Sequence, residues 1–175
     1  DAKFSFWNYR FKELQMNVAG DSDFRDIHKF FLHQSKLRKL RLRIKGGTIN
    51  NSKMLLFLIV KNSPELVELE FRSEVAIRFS AVEFTHFLNE IKRLKSLNLY
   101  FKKFSLEKEV LEVSSIEYFR LKKLQLECKT MDVDFNRITR KILYRCRSLQ
   151  YLCLKFVAKD VLQEILENQV REHFL

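Results

Sequence analysis

Four histidines (His28, His33, His86, His173), three cysteines (Cys128, Cys146, Cys153) and the carboxylates Glu68 and Glu70 are the side chains on which hydrolytic, metal or nucleophilic chemistry would rest. The histidines fall in or beside segments of helical periodicity, and no HExxH or Cys/His spacing of the zinc-binding kind occurs. Cys153 is placed on the open side of a strand with no histidine beside it to lower its pKa, so an ordinary thiol is expected. Glu68 and Glu70 fall beside Lys39 and Arg41 in the arrangement derived below, which accounts for them without general acid–base catalysis. No catalytic, metal-binding or cofactor-binding residue is therefore expected, and neither an enzyme nor a small-molecule substrate.

Binding chemistry has more material. The 175 residues carry 33 Lys and Arg against 22 Asp and Glu, a net charge of +11. One basic group, Arg137, Arg140, Lys141, Arg145 and Arg147, sits on and after a helical segment and is the candidate contact for phosphate or an acidic protein, although a solvated helix face has the same appearance. Another, Lys39, Arg41 and Arg43, alternates with apolar residues in LRKLRLRI, so its side chains share one face of a strand. Nucleic-acid binders favour a continuous basic groove with stacking aromatics. Acid interrupts this one, which makes nucleic acid the secondary expectation behind a protein partner.

The elements that must position these groups follow from composition and repetition. With 46% hydrophobic and 31% charged residues the chain has a globular balance, and one domain spanning 1–175 is expected. It opens on Asp1 rather than Met, so a piece of a longer protein is expected. Three glycines and one proline leave no material for a Gly-rich phosphate loop. The odd cysteine count without a CxxC pair points to reduced thiols and an intracellular home, with cytoplasm and nucleus both open. The longest apolar run, Met54 to Val60, is too short to span a membrane, and no membrane association is expected.

A Leu-like residue followed by others three and five places on recurs six times: Phe11-Leu14-Met16, Leu37-Leu40-Leu42, Leu66-Leu69-Phe71, Leu94-Leu97-Leu99, Leu121-Leu124-Leu126 and Leu149-Leu152-Leu154. The first positions lie 26, 29, 28, 27 and 28 residues apart, a spacing that marks stacked structural repeats. Positions four, six and eight of each unit point one way on a strand, and position eight is apolar in five of six units, Ser73 being the exception. Helical periodicity follows each strand, as in Phe24-Ile27-Phe31 and Phe84-Phe87-Leu88-Ile91. Ser80 with Glu83 reads as a capping box, Asp160 with Gln163 as a similar one, and Pro64 as a stop after the second helix. One strand and one helix cannot bury their apolar faces alone, so units stack into a parallel sheet backed by helices.

The LxxLxL opening of each unit resembles the leucine-rich-repeat family. That resemblance implies an α/β solenoid of about six repeats of about 28 residues, starting near 11, 37, 66, 94, 121 and 149, with the sheet on the concave side and helices on the convex side. Repeat length is most similar to the ribonuclease-inhibitor-like or cysteine-containing subclass. The family's Asn or Cys at position nine is replaced by Ala19, Lys45, Glu74, Lys102, Lys129 and Val157, so irregular turns are expected there. What the resemblance implies for function is a non-catalytic protein-binding module or scaffold subunit of a larger complex. A ribonucleoprotein subunit using the basic helix face is the alternative, and the substrate-receptor part of a ubiquitin ligase a lesser one, since no F-box helix set is present.

Two surfaces are candidates for that partner. On the concave strip, Tyr100 and Tyr151 project among polar side chains, with Lys39, Arg41 and Arg43 nearby, and rigid amphipathic rings anchor interfaces well. In MLLFLIV, helical geometry puts Leu55, Leu58 and Ile59 on one side and Leu56, Phe57 and Val60 on the other, where Lys53 and Lys61 mark the outward direction. Phe57 and Val60 are thus expected to be exposed as a docking patch.

Overall fold

The structure, a computed structural model, describes residues 9–19, 24–46, 49–91, 93–106, 119–130, 139–140, 142–155 and 163. Of the helical segments expected near 110–113, 135–142 and 161–166, only 139, 140, 142 and 163 are among the described residues, and Arg137, Lys141, Phe156 and His173 lie outside them. Six strands form one parallel sheet in chain order: β1 (Glu13–Val18), β2 (Lys39–Ile44), β3 (Glu68–Ser73), β5 (Ser96–Phe101), β7 (Lys123–Cys128) and β8 (Tyr151–Lys155). Between them run α1 (Phe24–Leu32), α2 (Ile49–Asn62) and α3 (Ala81–Ile91). The result is a mixed α/β fold built on parallel pairing.

Register is the same at every step. Leu14, Leu40, Leu69, Leu97, Leu124 and Leu152 pair in one row, and Met16, Leu42, Phe71, Leu99, Leu126 and Leu154 in the next. A forked backbone bond sets this register: the carbonyl at position two of one unit accepts the N–H groups of positions two and three of the next. Lys12, Arg38, Val67, Lys95 and Lys122 each act this way, with N···O distances between 2.7 and 3.1 Å. At the other end, the position-nine N–H groups of Lys45, Glu74, Lys102 and Lys129 donate to the position-eight carbonyls of the preceding strand. The main chain thus continues the ladder where a family side chain would have closed it. The turn beyond is held by position eight in two units, Ser73 Oγ bonding Val75 and Cys128 Sγ donating to the Thr130 carbonyl.

The inward rows pack with the helices into one core, in which Leu40, Leu69, Phe71, Leu97 and Leu124 are buried. The end strands β1 and β8 keep Leu14, Met16, Leu152 and Leu154 half-buried, since each has a strand on one side only. Helix α3 begins on the expected capping box: the Ser80 N–H donates to Glu83 Oε2 at 2.8 Å, and the Glu83 N–H to Ser80 Oγ at 3.2 Å. Arg93 caps the far end of α2, donating to the Val60 and Ser63 carbonyls where the helix dipole favours a cation.

Two features depart from the sequence reading. A second parallel sheet pairs β4 (Ile77–Phe79) with β6 (Phe104–Leu106), and Phe79, Phe84, Phe87 and Phe104 cluster around it with neighbouring ring centroids 5.5–6.2 Å apart. Helix α2 is also turned from its expected setting. Leu55, Leu56, Ile59 and Val60 are buried together while Met54 is 55% exposed, a rotation of roughly 80° about the helix axis. The expected exposure of Val60 is thereby corrected: it is 1% exposed. Phe57 is half-buried, edge-on to Phe79 at 5.7 Å and to Phe87 at 6.2 Å, because β4 and α3 cover the side of the helix expected to face outward. Lys53 turns toward Glu83 of α3, at 2.8 Å.

Leu97 and Leu124 are both 0% exposed at the centre of the sheet. Truncating either to Ala removes apolar burial and leaves a cavity, so each variant is expected to lose about 2–5 kcal/mol in urea denaturation. Parent-like midpoints for both would show that these rows do not face the core.

Candidate functional site

Positions three, five and seven of each strand alternate with the core rows and therefore face away from the helices. Because register is constant, they too form rows. Position three reads Glu13, Lys39, Glu68, Ser96, Lys123 and Tyr151; position seven runs from Asn17 through Arg43, Arg72, Tyr100 and Glu127 to Lys155. Lys39 Nζ lies 3.3 Å from Glu13 and 3.7 Å from Glu68, and Arg41 Nε 3.5 Å from Glu70. Lys155 sits 3.3 Å from Glu127. Exposed pairs of this kind are worth under about 1 kcal/mol each, so their chief effect is to neutralise the face rather than to stabilise it. A shallow depression of about 360 Å³ runs along its position-three and position-five rows, lined by Glu13, Lys39, Arg41, Glu68, Glu70 and Lys123 among others.

The candidate residues share this face but not one spot: Lys39, Arg41 and Arg43 lie on β2, Tyr100 two strands away on β5 and Tyr151 four strands away on β8. Arg43 donates through Nε to Glu74 Oε1 at 3.0 Å, and this bond, with Arg43's charge, holds the Glu74 carboxyl below the ordinary carboxylate range against a smaller effect of burial. Tyr100 is half-buried beneath the Arg72 guanidinium, whose carbon lies 4.2 Å from the ring centroid. Tyr151 is 49% exposed, with Lys123 Nζ 5.1 Å from its centroid. Both are cation–π contacts. The sequence reading named the tyrosines but gave Arg72 and Lys123 no role, although the constant register already placed each beside its ring.

Of the second basic group, Arg140, Arg145 and Arg147 are among the described residues. Arg145 lies over the Phe119 ring at 5.8 Å, and burial pulls its pKa below the usual arginine value. Arg140 is half-buried and Arg147 exposed. The patch expected around Phe57 and Val60 is not presented as an open surface, for the packing reasons given above. His28 and His33 lie on and just after α1, and His86 stacks on Phe57 at 6.0 Å. Among the described residues no group of His, Cys, Asp or Glu could hold a metal ion, and no helix is long and apolar enough to cross a membrane. All three cysteines are thiols, and burial pushes Cys146 up to about 12.

No protein-family model and no curated protein matches the chain. Among solved structures it is similar to the tropomodulin C-terminal domain of Caenorhabditis elegans, with 11% identity, coverage of 95% of this chain and 90% of that one, and a TM-score of 0.50. It is also similar to actin-binding site 2 of leiomodin-1, with 10% identity, coverage of 93% and 84%, and a TM-score of 0.45. The tropomodulin likeness is one of fold, leucine-rich-repeat-like α/β. It corrects the expected placement in the ribonuclease-inhibitor-like or cysteine-containing subclass, which rested on repeat length: the chain's structural neighbours lie elsewhere.

Two outcomes follow from this chemistry. Brief maleimide treatment of the native protein, read by mass spectrometry, is expected to modify half-exposed Cys153 and spare buried Cys128 and Cys146, with all three reacting after denaturation. Burial acts to raise the Glu83 carboxyl, but hydrogen bonds from Lys53 and the Ser80 N–H outweigh it and leave the pKa below 4.5. A lowered carboxylate stabilises the fold above its unfolded pKa and stops doing so as pH falls through the folded value. Glu83→Gln is therefore expected to lower the urea midpoint at neutral pH and to flatten its fall below about pH 4.5; a pH profile parallel to the parent's would contradict this role.

Proposed function

We propose that the chain is a non-catalytic protein-recognition module, a curved solenoid of six repeats forming one domain over 1–175, and that it serves as a subunit or scaffold of a larger intracellular complex. One observation carries this reading. Parallel sheets are ordinarily covered on both faces, whereas among the described residues the leucine rows are enclosed and the opposite face is an array of ion pairs with two tyrosines beside cations. Such a surface is polar and furnished with aromatic anchors, which suits a protein interface. The fold likeness to the tropomodulin domain supports the module, and three thiols without a disulfide support a reducing compartment. The charge pairing weighs against the nucleic-acid reading, because Lys39, Arg41 and Arg43 each already face a carboxylate. The ubiquitin-ligase reading has no residue to rest on once the cysteine-containing subclass is set aside.

The test compares what the parent and the Tyr100→Ala/Tyr151→Ala variant retain from native extract at physiological salt, with Tyr144→Ala, an exposed tyrosine off the face, as control. Loss of two anchors worth about 2 kcal/mol each is expected to weaken a specific partner more than tenfold, with the control unchanged. Equal retention by all three proteins, or retention abolished by nuclease, would overturn the reading.

A further inference from the structure

The ion pairs on the open face do not use all of its cations. Lys39, Arg41, Arg43 and Lys155 each have a carboxylate within 3.7 Å or closer. Arg72 and Lys123 have none among the described residues, and these are the two cations laid over Tyr100 and Tyr151. Arg72 stands out further. It pairs in register with a second arginine, Arg43, whose own carboxylate partner is Glu74, and its Nε is buried without an acceptor. A carboxylate arriving from solvent meets the remaining N–H groups of this half-buried guanidinium. To one side of it, over β1 and β2, lies a depression of about 300 Å³ lined by Gln15, Asn17, Arg41, Arg43, Glu70 and Arg72 among others.

We propose that Arg72/Tyr100 and Lys123/Tyr151 are two anchoring subsites for an extended acidic segment of a partner protein, each receiving one carboxylate of that segment beside a tyrosine ring. This rests on the reading of the open face as a protein interface and names the chemistry of what binds there. The subsites lie two strands and four residues apart across the sheet, a diagonal of about 16 Å, which two glutamates four residues apart on an extended chain reach, their Cα atoms about 13 Å apart and their side chains supplying the rest. Side chains of an extended chain share a face only at even separations, so the segment is one with acidic residues at i and i+4, crossing the strands obliquely. Discrete carboxylates suit a face on which Glu13, Glu68, Glu70 and Glu127 are interleaved, whereas the unbroken charge of a nucleic-acid backbone meets those acids at every step.

The probe is the peptide acetyl-Glu-Ser-Thr-Ser-Glu-amide, titrated into ¹⁵N-labelled protein and followed at the backbone amides of β3 and β7 and at arginine Nε–H signals. The comparison peptide holds the same two glutamates adjacent to one another, and (rU)₁₂ supplies the nucleic-acid arm. The spaced peptide is expected to bind several-fold more tightly than the adjacent one, shifting the Arg72 Nε–H signal and leaving that of Arg38 unmoved. Arg72→Gln/Lys123→Gln is expected to abolish the difference while keeping the parent's thermal midpoint; should the double variant not fold, Lys123→Gln alone, at an exposed position, supplies the same readout. Indifference to glutamate spacing, shifts centred elsewhere, or tighter binding of (rU)₁₂ overturns the proposal. In the extract experiment, partner loss with the tyrosine variant but retention with Arg72→Gln/Lys123→Gln sinks the acidic-segment assignment and leaves the interface standing. Retention by both sinks the interface as well.

Discussion

Each strand of the main sheet begins on the same forked hydrogen bond, in which one carbonyl takes two N–H groups of the next unit. Five repetitions of that bond hold all six strands in a single register, and on a parallel sheet a single register turns sequence positions into rows. Side-chain direction alternates along a strand, so a slip of one residue would exchange the core rows with the solvent rows. The backbone fork thus decides at once which leucines are enclosed and which charges meet each other. Core packing stabilises the fold, but it is register that makes the outer face a defined surface.

From that constraint the electrostatics of the open face follow. Lys39 meets Glu13 and Glu68 because all three occupy position three, and Arg41 meets Glu70 because both occupy position five. A strongly basic chain consequently presents a sheet face close to neutral in which few cations remain unmatched, and those few lie on aromatic rings. Specificity on such a face comes from where the unmatched groups stand rather than from net charge, since long-range attraction steers encounter while short-range pairing selects the partner.

Much of this was legible in the sequence, for identifiable reasons. The LxxLxL triplets gave the strands, their order and their register, because a period-two pattern repeated at near-constant spacing admits one way of stacking. Ser80 and Glu83 gave the start of α3 because a capping box is local. The setting of α2 was not legible: a run as apolar as MLLFLIV carries no moment strong enough to orient it, and β4 and α3 decide which side is covered. Ile77-Arg78-Phe79 and Phe104-Ser105-Leu106 do alternate, but three residues are too few to distinguish a strand from a loop. The subclass placement failed for a related reason, since leucine spacing specifies the stack and says little about how each turn is closed.

Hydroxyl-radical footprinting of the protein alone and in its native complex tests most directly whether the open sheet face is the interface. Tyr151, Met54 and Tyr144 are all well exposed in the free chain and report on different surfaces. Protection of Tyr100 and Tyr151 on complex formation, with Met54 and Tyr144 as reactive as before, is the predicted result. Protection of Met54 and Tyr144 with Tyr100 and Tyr151 unchanged would place the partner on the helices and contradict the account.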